Sequence, residues 1–446
     1  LSKRKQKTVT VGFVALGCPK NIVDSEKMLA TIGESGLVIT SDPDNADVVV
    51  INTCGFIAPA KEEAIEAIRA AVKRKKRGAV KKVVVAGCLS QRMGKALLDE
   101  VEGIDAIVGL GGRDDIADVI KETLGSDITQ LYLPEHTKAG DDRGRLLITP
   151  SHWAYLRISE GCSRRCSFCT IPAIRGKFRS KPFENVIEEA KELVANGAVE
   201  LSIIAQDSNF YGHDLKMKDG LSLIINELEK IEALKWIRLM YLYPAGIDDA
   251  LIETMAESKK VVHYVDMPMQ HINNTILKNM HRVDTKEHTQ QLIEKLRSAM
   301  PDVALRTTIM VGFPSETDEQ FEELLEFINW ARFDALGCFT FYAEEGTAAA
   351  AMPEQVPEKI KEERADKLMR TQQKIAFAAN QKRVGMELSC LVDSVDEHKN
   401  GKGRFYGQAP HIDSICIINN CTARPGEFIK TRVTGVKGYD LTAEEI

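Results

Sequence analysis

Three apolar runs in the first part of the chain, residues 9–16, 48–51 and 83–86, are each followed at once by a single cysteine. The junctions read Leu16-Gly17-Cys18, Asn52-Thr53-Cys54 and Ala86-Gly87-Cys88. Helical patterns lie between them, with Ile65, Ile68 and Val72 at i, i+3, i+7, so strands and helices alternate as in a parallel sheet. In an open sheet of that kind ligands gather beyond the carboxyl ends of the strands. Three thiols placed there converge on one point although they are distant in sequence. The expected result is a three-thiolate iron-sulfur cluster with one iron free of protein ligands. Three small buried thiols capping strands by coincidence are the competing reading, since free cysteine is readily buried. The repeated position favours the cluster.

A second group of thiols is local. The segment Glu160-Gly161-Cys162-Ser163-Arg164-Arg165-Cys166-Ser167-Phe168-Cys169 sets three cysteines at a C-x3-C-x2-C spacing in one short turn. A zinc site needs a fourth cysteine or histidine, and residues 170–182 supply neither. Fully ligated clusters use four cysteines, so three leave one iron open to a small molecule. With the aromatic Phe168 before the last cysteine, the segment resembles the radical S-adenosylmethionine enzymes. The resemblance implies an exposed iron that chelates the amino and carboxylate groups of S-adenosylmethionine. It also implies reductive cleavage of that cofactor to a 5'-deoxyadenosyl radical.

Strand-like runs at 153–158, 201–205, 236–242, 261–267, 303–311 and 335–341 alternate with helical patterns such as Val186, Ile187, Ala190, Leu193 and Val194. Six such units predict a partial, open relative of the eight-unit barrel, with the cysteine loop after its first strand, at the end where such folds carry chemistry. Residues 354–383 read as a charged amphipathic helix, and short strands at 387–395, 403–407, 415–418 and 428–433 read as a small OB-like barrel. The expected class is α/β: an open parallel-sheet domain at 1–133, a linker at 134–150, a partial (β/α) barrel at 151–384 and an all-β barrel at 385–446. Such a barrel is a binding module, and its removal is expected to leave cofactor cleavage intact. Cys338, Cys390 and Cys416 fall in strands and read as packing, and Cys421 reads as a loop thiol.

A length of 446 residues suits about three domains. The net charge of -6 gives no chain-wide attraction to phosphate. The densest basic run, Lys73-Arg74-Lys75-Lys76-Arg77, most simply places cations at the negative end of a helix. Of the ten cysteines six are grouped for metal binding, and the set is not spread as a disulfide framework, which implies a reducing cytoplasm. Basic residues 3–7 before the apolar run and Cys18 imitate a lipoprotein leader, but the run is short and reads as a buried strand. No stretch approaches the about 18 apolar residues of a membrane helix.

Over essentially its whole length the chain resembles the methylthiotransferases: a three-cysteine α/β domain, a C-x3-C-x2-C barrel and a small β barrel that looks like the family's TRAM domain. The resemblance implies two 4Fe-4S clusters, held by Cys18, Cys54 and Cys88 and by Cys162, Cys166 and Cys169. It implies two uses of S-adenosylmethionine, one methylating sulfur on the first cluster and one supplying the radical, and a reducing electron donor. Leu16-Gly17-Cys18-Pro19-Lys20-Asn21, Pro268-Met269-Gln270-His271 and Gly407-Gln408-Ala409-Pro410-His411-Ile412-Asp413 look like the branch that modifies an aspartate of a small-subunit ribosomal protein, S twelve. The other branch modifies transfer-RNA adenosine. From Met386 to Ile446 seven Lys or Arg stand against nine Asp or Glu; this net acidity suits a basic protein better than RNA, so nucleic acid is not expected as the direct substrate. Competing classes are the transfer-RNA enzyme, a radical enzyme whose other cluster only carries electrons, and a non-enzymatic iron-sulfur scaffold. Phe168, Gln206 and Arg306 are candidate cofactor contacts, with His271 a further candidate. Arg306 suits a carboxylate, with a structural ion pair as its alternative. Asp24 and Glu26 fit either the site or an acidic helix start. Ser315 stands where the family's motif more often has Gly, and 341–347 is only close to the family's form, which bears on fine contacts and on no cluster ligand.

Overall fold

The structure, a computed structural model, describes residues 8–135 and 138–446, so the basic residues 3–7 lie outside the described residues. The described residues form two compact units: those up to 148 with 160–164 and 170–181, and residues 149–159 with 165–169 and 182–446.

The first unit carries six parallel strands: β1 (Thr10–Ala15), β2 (Val38–Thr40), β3 (Val48–Thr53), β4 (Lys82–Gly87), β5 (Ala106–Val108) and β6 (Gln130–Tyr132). Their order is β2-β1-β3-β4-β5-β6. Every residue of β3 is buried, because Val48-Val49-Val50-Ile51 lies mid-sheet with both faces covered. Ile65, Ile68 and Val72 pack on one face, and Met28, Ile32, Val119 and Ile120 on the other. The order reverses between β1 and β3, where neighbouring strands send their connections to opposite sides and open a crevice at their carboxyl ends. The basic run closes the helix Ala58–Lys76, where Arg74 meets Asp44 at 2.9 Å and Lys75 meets Asp105 at 2.5 Å. It is a helix end of the expected kind.

In the second unit β7 (Trp153–Arg157) begins an open parallel sheet. The two-residue strands β8 (Ser159–Glu160) and β9 (Arg179–Ser180), the latter in the first unit, bracket the cysteine loop in sequence. The sheet continues with β10 (Glu200–Ile204), β11 (Trp236–Leu239), β12 (Val261–Asp266), β13 (Ala304–Val311) and β14 (Ala335–Thr340), in the order β14-β13-β12-β11-β10-β7. The helix Glu358–Arg383 follows, starting after Pro357. A closed barrel ends the unit: β15 (Glu387–Val395), β16 (Gly401–Phe405), β17 (Cys416–Asn419), β18 (Phe428–Lys437) and β19 (Asp440–Glu445), in the order β15-β16-β17-β19-β18.

Two details differ from expectation. β19 closes the barrel although Asp440-Leu441-Thr442-Ala443-Glu444-Glu445 looks too acidic for a strand; its signal is alternation, with Leu441 and Ala443 wholly buried between polar neighbours. Burying Leu441 contributes about 2 kcal/mol. Cys421 lies in the loop after β17 as expected, but it is buried in the barrel core with Cys390 and Cys416.

The barrel is fastened to the central sheet by buried charge. Glu200 binds Arg238 at 2.8 Å and Arg404 of the barrel at 2.6 Å, and all three are almost completely buried. Arg404 also meets Asp393 at 2.7 Å, and Asp393 meets His152 at 2.9 Å. The segment 407–413 docks as well, with His411 edge-on to Trp153 and the Tyr264 hydroxyl donating to Asp413 at 2.7 Å.

Candidate functional site

Cys18 caps the helix Pro19–Glu34, Cys54 follows β3, and Cys88 opens the short helix Cys88–Met93 after β4. All three therefore lie at the carboxyl ends of adjacent strands. The glycines before two of them allow close approach. Gly17 has φ +95, and a Cβ there would fall 2.8 Å from the Cys54 Cβ. Gly87 has φ +96, and a Cβ there would fall 2.2 Å from Asn52 Oδ1. Asn21 fixes the group: its amide donates to the Leu16 and Thr53 carbonyls at 3.1 and 2.8 Å, and its Oδ1 accepts from the Cys88 thiol at 3.4 Å.

Burial pushes the Cys88 thiol up to about 12, with Arg175 opposing and Cys18 and Cys54 reinforcing the rise. Burial, then Cys18, raises Cys54 in the same way. Burial therefore favours the protonated thiol at Cys54 and Cys88 until a cation displaces the proton. Among the described residues no three His, Cys, Asp or Glu side chains are spaced to hold one metal ion. A four-iron cube binds each thiolate through a different iron, so its ligands stand further apart than those of a single ion.

Asp24 and Glu26 are not acidic helix starters. They are buried beyond the first turn, where Asp24 meets Arg175 at 2.9 Å and Arg113 at 3.4 Å, and Glu26 meets Arg145 at 3.0 Å. Arg113 and Lys181 share Asp142 at 2.6 and 2.8 Å. Sequence reading missed this ionic cluster because its cations come from 113, 145, 175 and 181, with no common motif.

The C-x3-C-x2-C loop is shaped by its own turn. Gly161 has φ +74 and sits so close to the Lys177 carbonyl that a Cβ would lie 2.3 Å from it. The Cys162 amide donates to the Gly176 carbonyl at 3.1 Å, and the Cys162 sulfur accepts from the Arg164 amide at 3.4 Å. Further along, the Cys169 amide donates to the Cys166 carbonyl at 3.1 Å, and Ser167 donates from its amide to Met280 O at 3.0 Å and from its hydroxyl to Asn279 O at 2.7 Å. Phe168 anchors this half of the loop among Ile276, Met280, Met310, Phe313 and Phe341. Cys166 and Cys169 stay half-exposed.

The remaining candidates divide. Gln206 follows β10, half-buried at the carboxyl end of the sheet. Arg306 is engaged by Asp266 at 2.7 Å and by Asp413 at 3.3 Å, the structural pairing that was its alternative. His271 is fully buried, accepts from the Asn273 amide at 3.0 Å and lies 3.7 Å from Glu316. Glu316 itself accepts from the Gly312 amide at 2.8 Å and pairs with Arg364 at 2.8 Å, so it holds the 312–317 turn. Tyr243 was not anticipated: Arg282 stacks on its ring at 4.2 Å, burial pushes its phenol up to about 12, and Cys166 is among the groups that add to the rise.

Three family models match successive parts of the chain. The Radical SAM superfamily matches residues 156–328, the TRAM domain matches 384–446, and the uncharacterized protein family UPF0004 matches 10–109. The ribosomal protein uS12 methylthiotransferase RimO of Desulforamulus reducens is 43% identical over 98% of this chain and 99% of its own. That of Geobacter sulfurreducens is 43% identical over the full length of both. The chain belongs to the ribosomal protein uS12 methylthiotransferase family. It is a radical S-adenosylmethionine enzyme that transfers a methylthio group, and superfamily membership brings one 4Fe-4S cluster with that cofactor. Among solved structures, the radical S-adenosylmethionine methyltransferase TsrM from Kitasatospora setae, with cobalamin and a 4Fe-4S cluster bound, covers 75% of each chain at a TM-score of 0.52 and 15% identity. That likeness is one of fold. Among the described residues no helix of this methylthiotransferase is long and apolar enough to cross a membrane.

Proposed function

We propose that this enzyme methylthiolates the β-carbon of an aspartate in ribosomal protein uS12. The observation that carries the reading is the full-length similarity to uS12 methylthiotransferases in a chain with two separate thiol triplets. Cys162, Cys166 and Cys169 hold the cluster of the superfamily, and Cys18, Cys54 and Cys88 hold a second one. When bound, these clusters supply an electron for cleaving S-adenosylmethionine and a place for the sulfur that is transferred. A radical is needed because the β-hydrogen of aspartate is not acidic enough for a side-chain base to remove.

The protein's own residues shape and insulate these sites. Phe168 fixes the loop that carries Cys166 and Cys169, and Gln206, at the sheet end, contacts the cofactor. Arg306 is proposed for that contact only through the position of β13, since its fork already holds Asp266 and Asp413. Three domains at 1–133, 151–384 and 385–446, joined by a 134–150 linker, fit the strand groups. A reducing electron donor and a cytoplasmic setting follow from the chemistry. The slightly acidic barrel favours a basic protein partner over nucleic acid.

Mass analysis of ribosomal proteins from cells with and without this chain tests the reading. The expected product is uS12 heavier by one methylthio group on aspartate. The same group on transfer-RNA adenosine, with uS12 unmodified, establishes the alternative branch instead.

A further inference from the structure

Arg175 stands only six positions beyond Cys169 in sequence, yet its side chain reaches the other thiol site. The five-residue helix Ile171–Arg175 has a proline at its second position and ends at Gly176, whose φ of +77 turns the chain back. Ile174 packs with Cys88 and Leu110, which fixes the backbone one residue from the guanidinium. Arg175 is 2% exposed. Its Nη2 donates to Asn21 Oδ1 at 2.8 Å and to Asp24 Oδ2 at 2.9 Å, and its Nη1 donates to both Glu160 oxygens at 3.1 Å. Asn21 Oδ1 is also the acceptor of the Cys88 thiol. Glu160 lies two residues before Cys162 and accepts from the Gly161 amide at 3.1 Å. One planar fork therefore spans the residue that organises Cys18, Cys54 and Cys88 and the residue that opens the loop of Cys162.

We infer that Arg175 is a positioning residue for the cluster held by Cys18, Cys54 and Cys88, fixing Asn21 against it and supplying the buried positive charge that raises its reduction potential. The inference rests on the two-cluster reading proposed above. A cluster with three thiolates is net negative, more so when reduced, and net charge and hydrogen bonding near the sulfurs are what set cluster potentials. A fixed cation in a dry site favours the reduced state, and a fixed carboxylate opposes it. Asp24 and Glu160 both pair with the fork, and the charge tied to the thiol site by a shared acceptor is the cation: Arg175 Nη2 and the Cys88 thiol both donate to Asn21 Oδ1.

The test uses the full chain carrying Cys162→Ala, Cys166→Ala and Cys169→Ala, reconstituted anaerobically with iron and sulfide so that only the first site is loaded. Iron content, circular dichroism and a potentiometric titration followed by electron paramagnetic resonance are the readouts. Arg175→Met is expected to lower the reduced-to-oxidised ratio at a fixed potential at least tenfold, a shift of about 59 mV in the midpoint. Asp24→Asn is expected to move it the other way, and Arg175→Lys, which keeps charge without the fork, to restore most of the shift. If the background chain binds no iron, the two-cluster reading fails by itself. If it binds iron and the midpoint is the same in all variants, or if Asp24→Asn moves it in the same direction as Arg175→Met, the role of Arg175 is overturned. Should Arg175→Met not fold, the Lys and Asn variants decide the matter by the same signs.

Discussion

Cys54 is the member of the first triplet whose loss should be easiest to interpret, because no helix is capped or opened by it. Cys54→Ala is expected to reduce reconstituted iron from about eight to about four per chain. Cleavage to 5'-deoxyadenosine should continue while methylthio transfer is lost. An unchanged iron count by chemical assay would remove Cys54 from the ligand set. His271 gives a second prediction at this scale. Burial holds its folded pKa at about 3, well below its ordinary 6.5, so the unfolded chain takes up a proton that the folded one refuses. Its stabilising effect is complete above about pH 6.5 and shrinks as pH falls towards 3. Urea unfolding between about pH 7.5 and about 5.5 should show a shallower loss of stability in His271→Gln than in the parent; equal slopes would exclude this role. Cysteines were legible because packing alone seldom sets thiols at a fixed close spacing or repeats them at successive strand ends. Arg175 was not, since its sequence neighbours belong to one thiol loop and its contacts to the other site.

The barrel elements are joined to the central sheet more firmly than a separable binding module would require. Removing 386–446 would uncover Glu200 and Arg238, whose side chains are wholly buried, together with Tyr264. Cofactor cleavage is therefore not expected to survive that deletion intact, contrary to the expectation drawn from sequence. A single change tests the clamp. Arg404→Leu should cost about 3–5 kcal/mol, because Glu200 loses one of its two buried partners. A denaturation midpoint within error of the parent would show that the pair contributes little. Strand positions were legible where Val and Ile run together, as in β3, and illegible in β19, where only the alternation of Leu441 and Ala443 marks a buried face. The docking segment 407–413 was legible as a branch signature but not as a fastening, since Asp413 pairs with residues more than a hundred positions away.

At the scale of the whole molecule, partner choice is the property most open to solution conditions. With a net charge of -6 the chain should attract a basic ribosomal protein, and the rate of uS12 modification should fall as salt rises from about 0.05 to about 0.5 M. A rate indifferent to salt in a single-turnover assay would mean that packing, not charge, drives docking. The order of α/β domain, open sheet and barrel was legible because periodicity changes from domain to domain. What sequence did not show is that the first unit is discontinuous, taking residues 160–164 and 170–181 from beyond β7. That discontinuity sets a timetable for synthesis. Cys18, Cys54 and Cys88 leave the ribosome early, but Arg175, the nearer of the two cations that meet Asp24, follows 87 residues after Cys88. At about 5–20 residues per second this is a wait of roughly 4 to 17 seconds. During that interval the nascent sheet carries a carboxylate that has yet to meet Arg175. By the time Arg175 emerges, Cys162, Cys166 and Cys169 have emerged as well, but the residues that hold their loop, from Ile276 to Phe341, have not, so the first thiol site is completed before the second, and a chain arrested before residue 175 should be open to proteases in its first unit.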